Sequence, residues 1–158
     1  MMHSVGERML HTSCMIITHL SFEQRSKTNY NHPDSLDTSL LIEHVKDLKK
    51  LNSIKVPNYD FTQHARTAQT NLVSAKKIIL VEGILIFSDS ELVDQLDIKV
   101  FVDTAPDIRF MRRMQRDLVE LNRSMENVTK QYSTTVRPMR MQFIEPTKQI
   151  ADIIIPGR

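Results

Sequence analysis

Glycine is scarce in this sequence. The chain of 158 residues holds three, Gly6, Gly83 and Gly157. A phosphate-cradling loop of the GxxxxGK[ST] type needs two glycines and a lysine at fixed spacing, and no such run exists. The single cysteine, Cys14, excludes an intrachain disulfide and any multi-cysteine zinc site. No apolar run approaches the ~18 residues of a membrane span. The N-terminal twenty residues contain only Met15-Ile16-Ile17 as a continuous apolar core, too short for a secretory signal. Neither sign of charge dominates: a formal net charge of +2 gives no general argument for nucleic-acid binding. These absences point to a cytoplasmic chain without membrane or nucleic-acid partners.

What remains is the composition of a globular domain, 41% hydrophobic and 25% charged, with length enough for one core. Residues 1–19 show no clear period and are set apart from 20–158. Ser21 and Gln24 have the spacing of a capping box. His32-Pro33-Asp34 reads as a turn, because the residue before proline is pushed out of the helical region. Asp37 then caps a helix in which Leu41, Val45 and Leu48 recur on one face. Ile54–Val56 and Thr70–Val73 read as the strands of a small β-hairpin insertion with a long loop between them.

Three apolar runs follow: Ile78–Val81 before Glu82, Val100–Val102 before Asp103, and Ile153–Ile155 before Pro156. Four consecutive aliphatics bounded by charges predict a strand buried on both faces, as parallel sheets require. Helical patterns separate the strands, so the class is α/β with a parallel sheet and flanking helices. After Asp103, Thr104 is the expected cap of a helix whose Ile108, Met111, Met114, Leu118 and Leu121 form an apolar stripe. A further helical pattern from Ser124 is expected to be interrupted at Pro138, to resume with Met139 and Phe143, and to stop by Pro146.

Three groups of residues carry chemistry. Glu82 ends a buried strand, the edge where open α/β sheets place ligands; it reads either as a magnesium-holding carboxylate or as a capping acid. Arg109, Arg112, Arg113 and Arg116 fall at i, i+3, i+4 and i+7, with Arg123 close behind. They read either as a polyphosphate clamp or as a solvated face paired with Asp117 and Glu120. The stretch PNYDFTQHAR, residues 57–66, crowds two rings, a carboxylate, an imidazole and a guanidinium into ten positions. If extended, it projects Tyr59 and Phe61 to one face, as a base-stacking platform or as loop anchors.

Together these segments resemble the uridine-cytidine kinase family, within the phosphoribulokinase and uridine kinase group. The resemblance is carried by LSFEQRSKTNYNHPDSLD, VPNYDFTQHAR, IILVEGILIF, IKVFVDTAPDIRFMRRMQRD and QFIEPTKQIADIIIP, running from Leu20 to Pro156. It implies a P-loop-kinase-like fold and phosphorylation of the 5′-hydroxyl of uridine or cytidine by ATP (or GTP) with magnesium. By matching positions, Asn31, Tyr59, Phe61, His64, Arg66, Arg113, Arg123 and Gln131 would bind the nucleoside. Arg116 would serve phosphate and Glu82 magnesium. The family is oligomeric, so a homo-oligomer or a pairing with a full-length homologue is implied.

The departures from the family are specific. The P-loop and its strand have no counterpart, and no carboxylate lies between Arg8 and Glu23, where the family's catalytic acid belongs. No catalytic residue is therefore intact. Asn31 stands for a ribose-binding aspartate, Leu121 for a lid arginine and Asn122 for a glycine. The expectation is a chain inactive by itself, truncated at its N-terminal side; the alternative is a non-catalytic nucleoside-binding or regulatory partner of a full-length kinase. The missing strand would lie between strands 78–81 and 98–102. Those two would then pair directly, or residues 14–18 would fill the gap, and the isolated chain would be poorly stable.

Overall fold

The computed structural model describes residues 7–11, 23, 28–60 and 65–157, the first five for their backbone only. They divide into two compact units, Met1–Leu96 and Asp97–Arg158. The architecture is α/β: two parallel strand pairs and one antiparallel hairpin, with helices between the strands.

In the first unit, strand β1 (Glu7–His11) pairs in parallel with strand β4 (Ile78–Glu82), placing His11 opposite Glu82 in register. A strand thus forms in a segment whose sequence shows no period. His32 caps a short 3-10 turn, Pro33–Ser35, its Nδ1 accepting from the Asp34 amide at 3.2 Å. Helix α1 (Thr38–Lys49) begins as expected, with Asp37 Oδ1 accepting from the Leu40 amide at 3.2 Å. Its Leu41, Val45 and Leu48 are buried with Ile42, Ile54, Val56 and Leu92 in the core of this unit. Leu92 belongs to the short helix α2 (Ser90–Val93).

The hairpin strands are longer than expected. Strand β2 (Ile54–Asp60) and strand β3 (Ala65–Val73) are antiparallel, with a register irregularity between Pro57 and Tyr59. Most of residues 57–66 is therefore strand rather than loop. Pro57 is tolerated because an irregular ladder does not require its missing N–H. Strand β4 is also not buried on both faces. Ile79 and Val81 pack against the α1 core, whereas Ile78 and Leu80, on the other face, are 48% and 47% exposed.

In the second unit, strand β5 (Val100–Asp103) pairs in parallel with strand β6 (Ile153–Pro156). Among the described residues the hydrogen-bonded neighbour of β4 is β1 and that of β5 is β6. The alternative of filling by residues 14–18, like the capping box at Ser21 and Gln24, lies outside the described residues. Gly157 sits where a Cβ would fall 1.8 Å from Thr104 Oγ1, so only glycine permits this closure of the strand end. Thr104 is buried and does not cap the next helix; helix α3 (Pro106–Val119) starts from Ala105 with no side-chain cap and with proline in its first turn.

Helix α4 (Met125–Gln131) is capped by Ser124 and does not break at Pro138. It widens into π turns at Tyr132–Val136 and Arg140–Ile144, on either side of the short helix α5 (Arg137–Met139), and continues as a 3-10 helix over Glu145–Ile150. A π turn shifts each amide to a carbonyl one residue further back, which lets the helix pass the ring and the missing donor of Pro138. Among the described residues no helix is long and apolar enough to cross a membrane.

Candidate nucleoside and phosphate sites

The sequence-predicted residues fall into two groups, one in each unit. In the first unit, Tyr59 on β2 lies directly across the ladder from Arg66 on β3. Arg66 Nη1 forms an ion pair with Asp37 Oδ2 at 3.1 Å, so the carboxylate that caps α1 also fixes the guanidinium of the hairpin. Asp37 therefore ties the hairpin to α1, a role its capping position in the sequence does not announce. Phe61 and His64 lie outside the described residues. Asn31 stands in the turn before the 3-10 segment. Its amide N–H donates to Asn29 Oδ1 at 3.0 Å and its Nδ2 at 3.4 Å.

His44, on the face of α1 buried in the core, has no sequence signal for chemistry. Burial pushes its pKa below the usual histidine value, with Arg66 acting in the same direction and Glu43, Asp47 and Asp37 opposing. Glu82 ends β4 exposed, at the carboxyl edge of a parallel pair. Among the described residues no three metal-ligating side chains converge. Magnesium is commonly held by one or two carboxylates together with water and substrate phosphates, and an exposed strand-end carboxylate fits that demand.

In the second unit the arginines are gathered. Arg113 Nη2 and Arg123 Nη1 both donate to Gln131 Oε1, at 2.9 and 3.1 Å. Arg116 donates through Nε and Nη2 to Asp117 Oδ1, at 3.0 and 2.7 Å. Asp117 Oδ2 lies 3.5 Å from both Arg113 Nε and Arg123 Nη1. Three arginines named from the sequence thus meet around Asp117, read from the sequence as a surface counter-ion, and Gln131 joins two of them. Asp117 is wholly buried, 0% exposed. The signal for it was its place at i+4 from Arg113 on a helix otherwise rich in cations. Burial also lowers the pKa of Arg113; Arg116 and Arg123 add to that effect and Asp117 opposes it.

The local chain explains the gathering. Asn122 has φ of +49°, a left-handed conformation that asparagine tolerates better than most residues. This turn brings the Arg123 amide to 3.0 Å from the Asp117 carbonyl and folds its side chain back on the helix. Phe110 and Tyr132 hold α3 to the segment after α4, their ring centroids 4.6 Å apart. Of the expected apolar stripe, Met111 on α3 is exposed, and Leu121 lies past the end of the helix and is exposed as well. Asp103, by contrast, has a structural partner: Lys148 Nζ donates to it.

Residues 7–158 match the model of the phosphoribulokinase / uridine kinase family. The chain belongs to that family. It is 51% identical over 139 residues to a uridine kinase of Histophilus somni, covering 88% of this chain and 65% of that protein. It is 54% identical, again over 139 residues, to a uridine kinase of Clostridium novyi, covering 88% and 67%. The chain therefore spans about two thirds of the length of these relatives. The fold is that of P-loop kinases: phosphoribulokinase from Rhodobacter spheroides superposes with a TM-score of 0.71 at 11% identity, over 96% of this chain and 60% of that one.

Proposed function

We propose that this chain carries the nucleoside-recognition part of a uridine or cytidine kinase. The reaction is transfer of the terminal phosphoryl group of ATP or GTP to the 5′-hydroxyl of the nucleoside. Tyr59, Phe61 and His64 would receive the pyrimidine, and Asn31 and Arg66 would support the sugar side. Arg113, Arg123 and Gln131 would contact the nucleoside, while Arg116 serves phosphate. Magnesium, held by Glu82 when bound, would neutralise phosphate charge.

Phosphoryl transfer proceeds through a loose transition state, so positioning and charge stabilisation supply most of the rate. Planar guanidiniums suit both tasks, because their N–H forks match phosphate oxygens and they stay charged at working pH. The observation that carries the reading is that Arg113 and Arg123, both named from the family pattern, share one hydrogen-bond acceptor, Gln131 Oε1.

Calorimetric titration of uridine and cytidine into the chain tests it. Tyr59→Ala should weaken binding about tenfold, the loss expected for one base-stacking ring. Undiminished binding by this variant, or none by the wild type, would sink the assignment.

A second reading is a non-catalytic one, in which the chain binds nucleoside but transfers no phosphate itself. It would then act beside a full-length homologue. A uridine- and ATP-dependent product signal above that of a Glu82→Ala control decides against this second reading.

A further inference from the structure

The arginine cluster poses a physical question that the proposed function does not answer. Three guanidiniums crowded at one point repel one another, yet a site for phosphate needs them held ready. Arg113, Arg116 and Arg123 have side-chain exposures of 21%, 53% and 44%, so two of the three face water with most of their N–H donors uncommitted. The one carboxylate among them is entirely withdrawn from solvent. A buried carboxylate costs folding energy unless it is paired, and here one oxygen takes two bonds from Arg116 while the other lies 3.5 Å from both Arg113 Nε and Arg123 Nη1.

Asp117 does not neutralise the cluster, which retains an excess of two positive charges. What it does is fix geometry. One oxygen receives the Nε and Nη2 edge of Arg116, and the other lies between Arg113 and Arg123. Gln131 braces the latter two from α4. The Asp117 backbone carbonyl receives the Arg123 amide, so the loop carrying Arg123 is tied to the same residue.

We propose that Asp117 is a positioning residue: it orders the Arg116 and Arg123 guanidiniums so that their free edges present a preformed receptor for a polyphosphate. The proposal rests on the reading of these arginines as substrate and phosphate contacts. It makes a prediction opposite to simple electrostatics. Asp117→Asn raises the positive charge of the cluster, and Coulomb attraction alone would tighten anion binding. Loss of the anchor instead lets the guanidiniums splay, and each charge-assisted bond then forms only after ordering a long side chain.

The test is titration of inorganic tripolyphosphate into the full chain and its Asp117→Asn variant at fixed ionic strength, with circular dichroism of both. Binding about tenfold weaker in the variant, at unchanged helical content, supports the proposal. Equal or tighter binding in the variant overturns it, while leaving the phosphate reading intact. Absence of binding by the wild type overturns that reading and the proposal with it. Should the variant fail to fold, the wild type still decides through the ¹⁵Nε relaxation of its arginines. Arg116 and Arg123 Nε as rigid as the backbone support the proposal, and Nε mobility like that of an ordinary surface arginine overturns it.

Discussion

Helix α1 and the parallel strands are made from the same aliphatic residues, and they treat them differently. Around α1, seven apolar side chains from the helix, the hairpin and α2 enclose one another, and Leu48 is 1% exposed. On the strands, Ile78, Leu80, Val102 and all three isoleucines of β6 are roughly half exposed or more. The difference lies in what each element is packed against. An amphipathic helix needs one apolar neighbour to bury its stripe, and α1 has it. A strand of a parallel sheet needs cover on both faces and a partner on both edges. Strand β4 has the α1 core on one face and β1 on one edge.

The widest test of this contrast is a pair of leucine truncations. Leu48→Ala removes a fully enclosed side chain and should cost about 3 kcal/mol of unfolding free energy in urea. Leu80→Ala removes one that already meets water over nearly half its surface. Its cost should be about 1 kcal/mol or less. Equal losses would show that the open face of β4 is covered in solution and would remove the distinction.

The contrast also explains which features were legible in the sequence. Asp37, Leu41, Val45 and Leu48 encode cap and stripe within a dozen residues, and the helix follows from them. The runs at 78–81 and 153–155 identify strands correctly, but a run of aliphatics records what a strand is suited to bury, not what lies beside it. At the site, the arginine spacing located Arg113 and Arg116 on one helix face. Their gathering depends on the Asn122 turn and on Gln131, which only the folded chain brings near. Asp117 was overlooked because a carboxylate among arginines on a helix has the pattern of an ordinary solvated pair. The continuation through Pro138 was missed because π turns leave no strong mark on apolar periodicity.

A second prediction concerns a place where the parallel strands are tightly built. Gly157 follows β6, and its amide donates to the Asp103 carbonyl at 2.8 Å. A methyl group there would collide with the buried Thr104 side chain. Gly157→Ala should therefore destabilise the second unit by about 2 kcal/mol, the range of an overpacked site. Adding Thr104→Ala removes the Oγ1 clash but leaves a Cβ only 2.9 Å away, so it should restore part of the loss and not all. A neutral Gly157→Ala would mean that this strand end is as loosely packed as the exposed strand faces.

The smallest effect expected comes from pH and returns to α1. His44 is buried, and among the described residues its Nδ1 has no hydrogen-bond partner. Its folded pKa lies below the usual value of 6.5, chiefly because burial disfavours the imidazolium. The unfolded chain therefore binds its proton first as pH falls. The stability contributed by the neutral ring is complete above the usual value and is lost progressively as pH drops from there towards the folded pKa. The slope from one such group cannot exceed about 1.4 kcal/mol per pH unit. Urea unfolding between about pH 7.5 and 5.5, a range that spans histidine titration, should show a steeper acid loss in the wild type than in His44→Gln. The remaining histidines contribute to both proteins, so the difference isolates residue 44. Parallel slopes would mean that water or a neighbouring carboxylate reaches the ring, and that the α1 core is less dry than its leucines indicate.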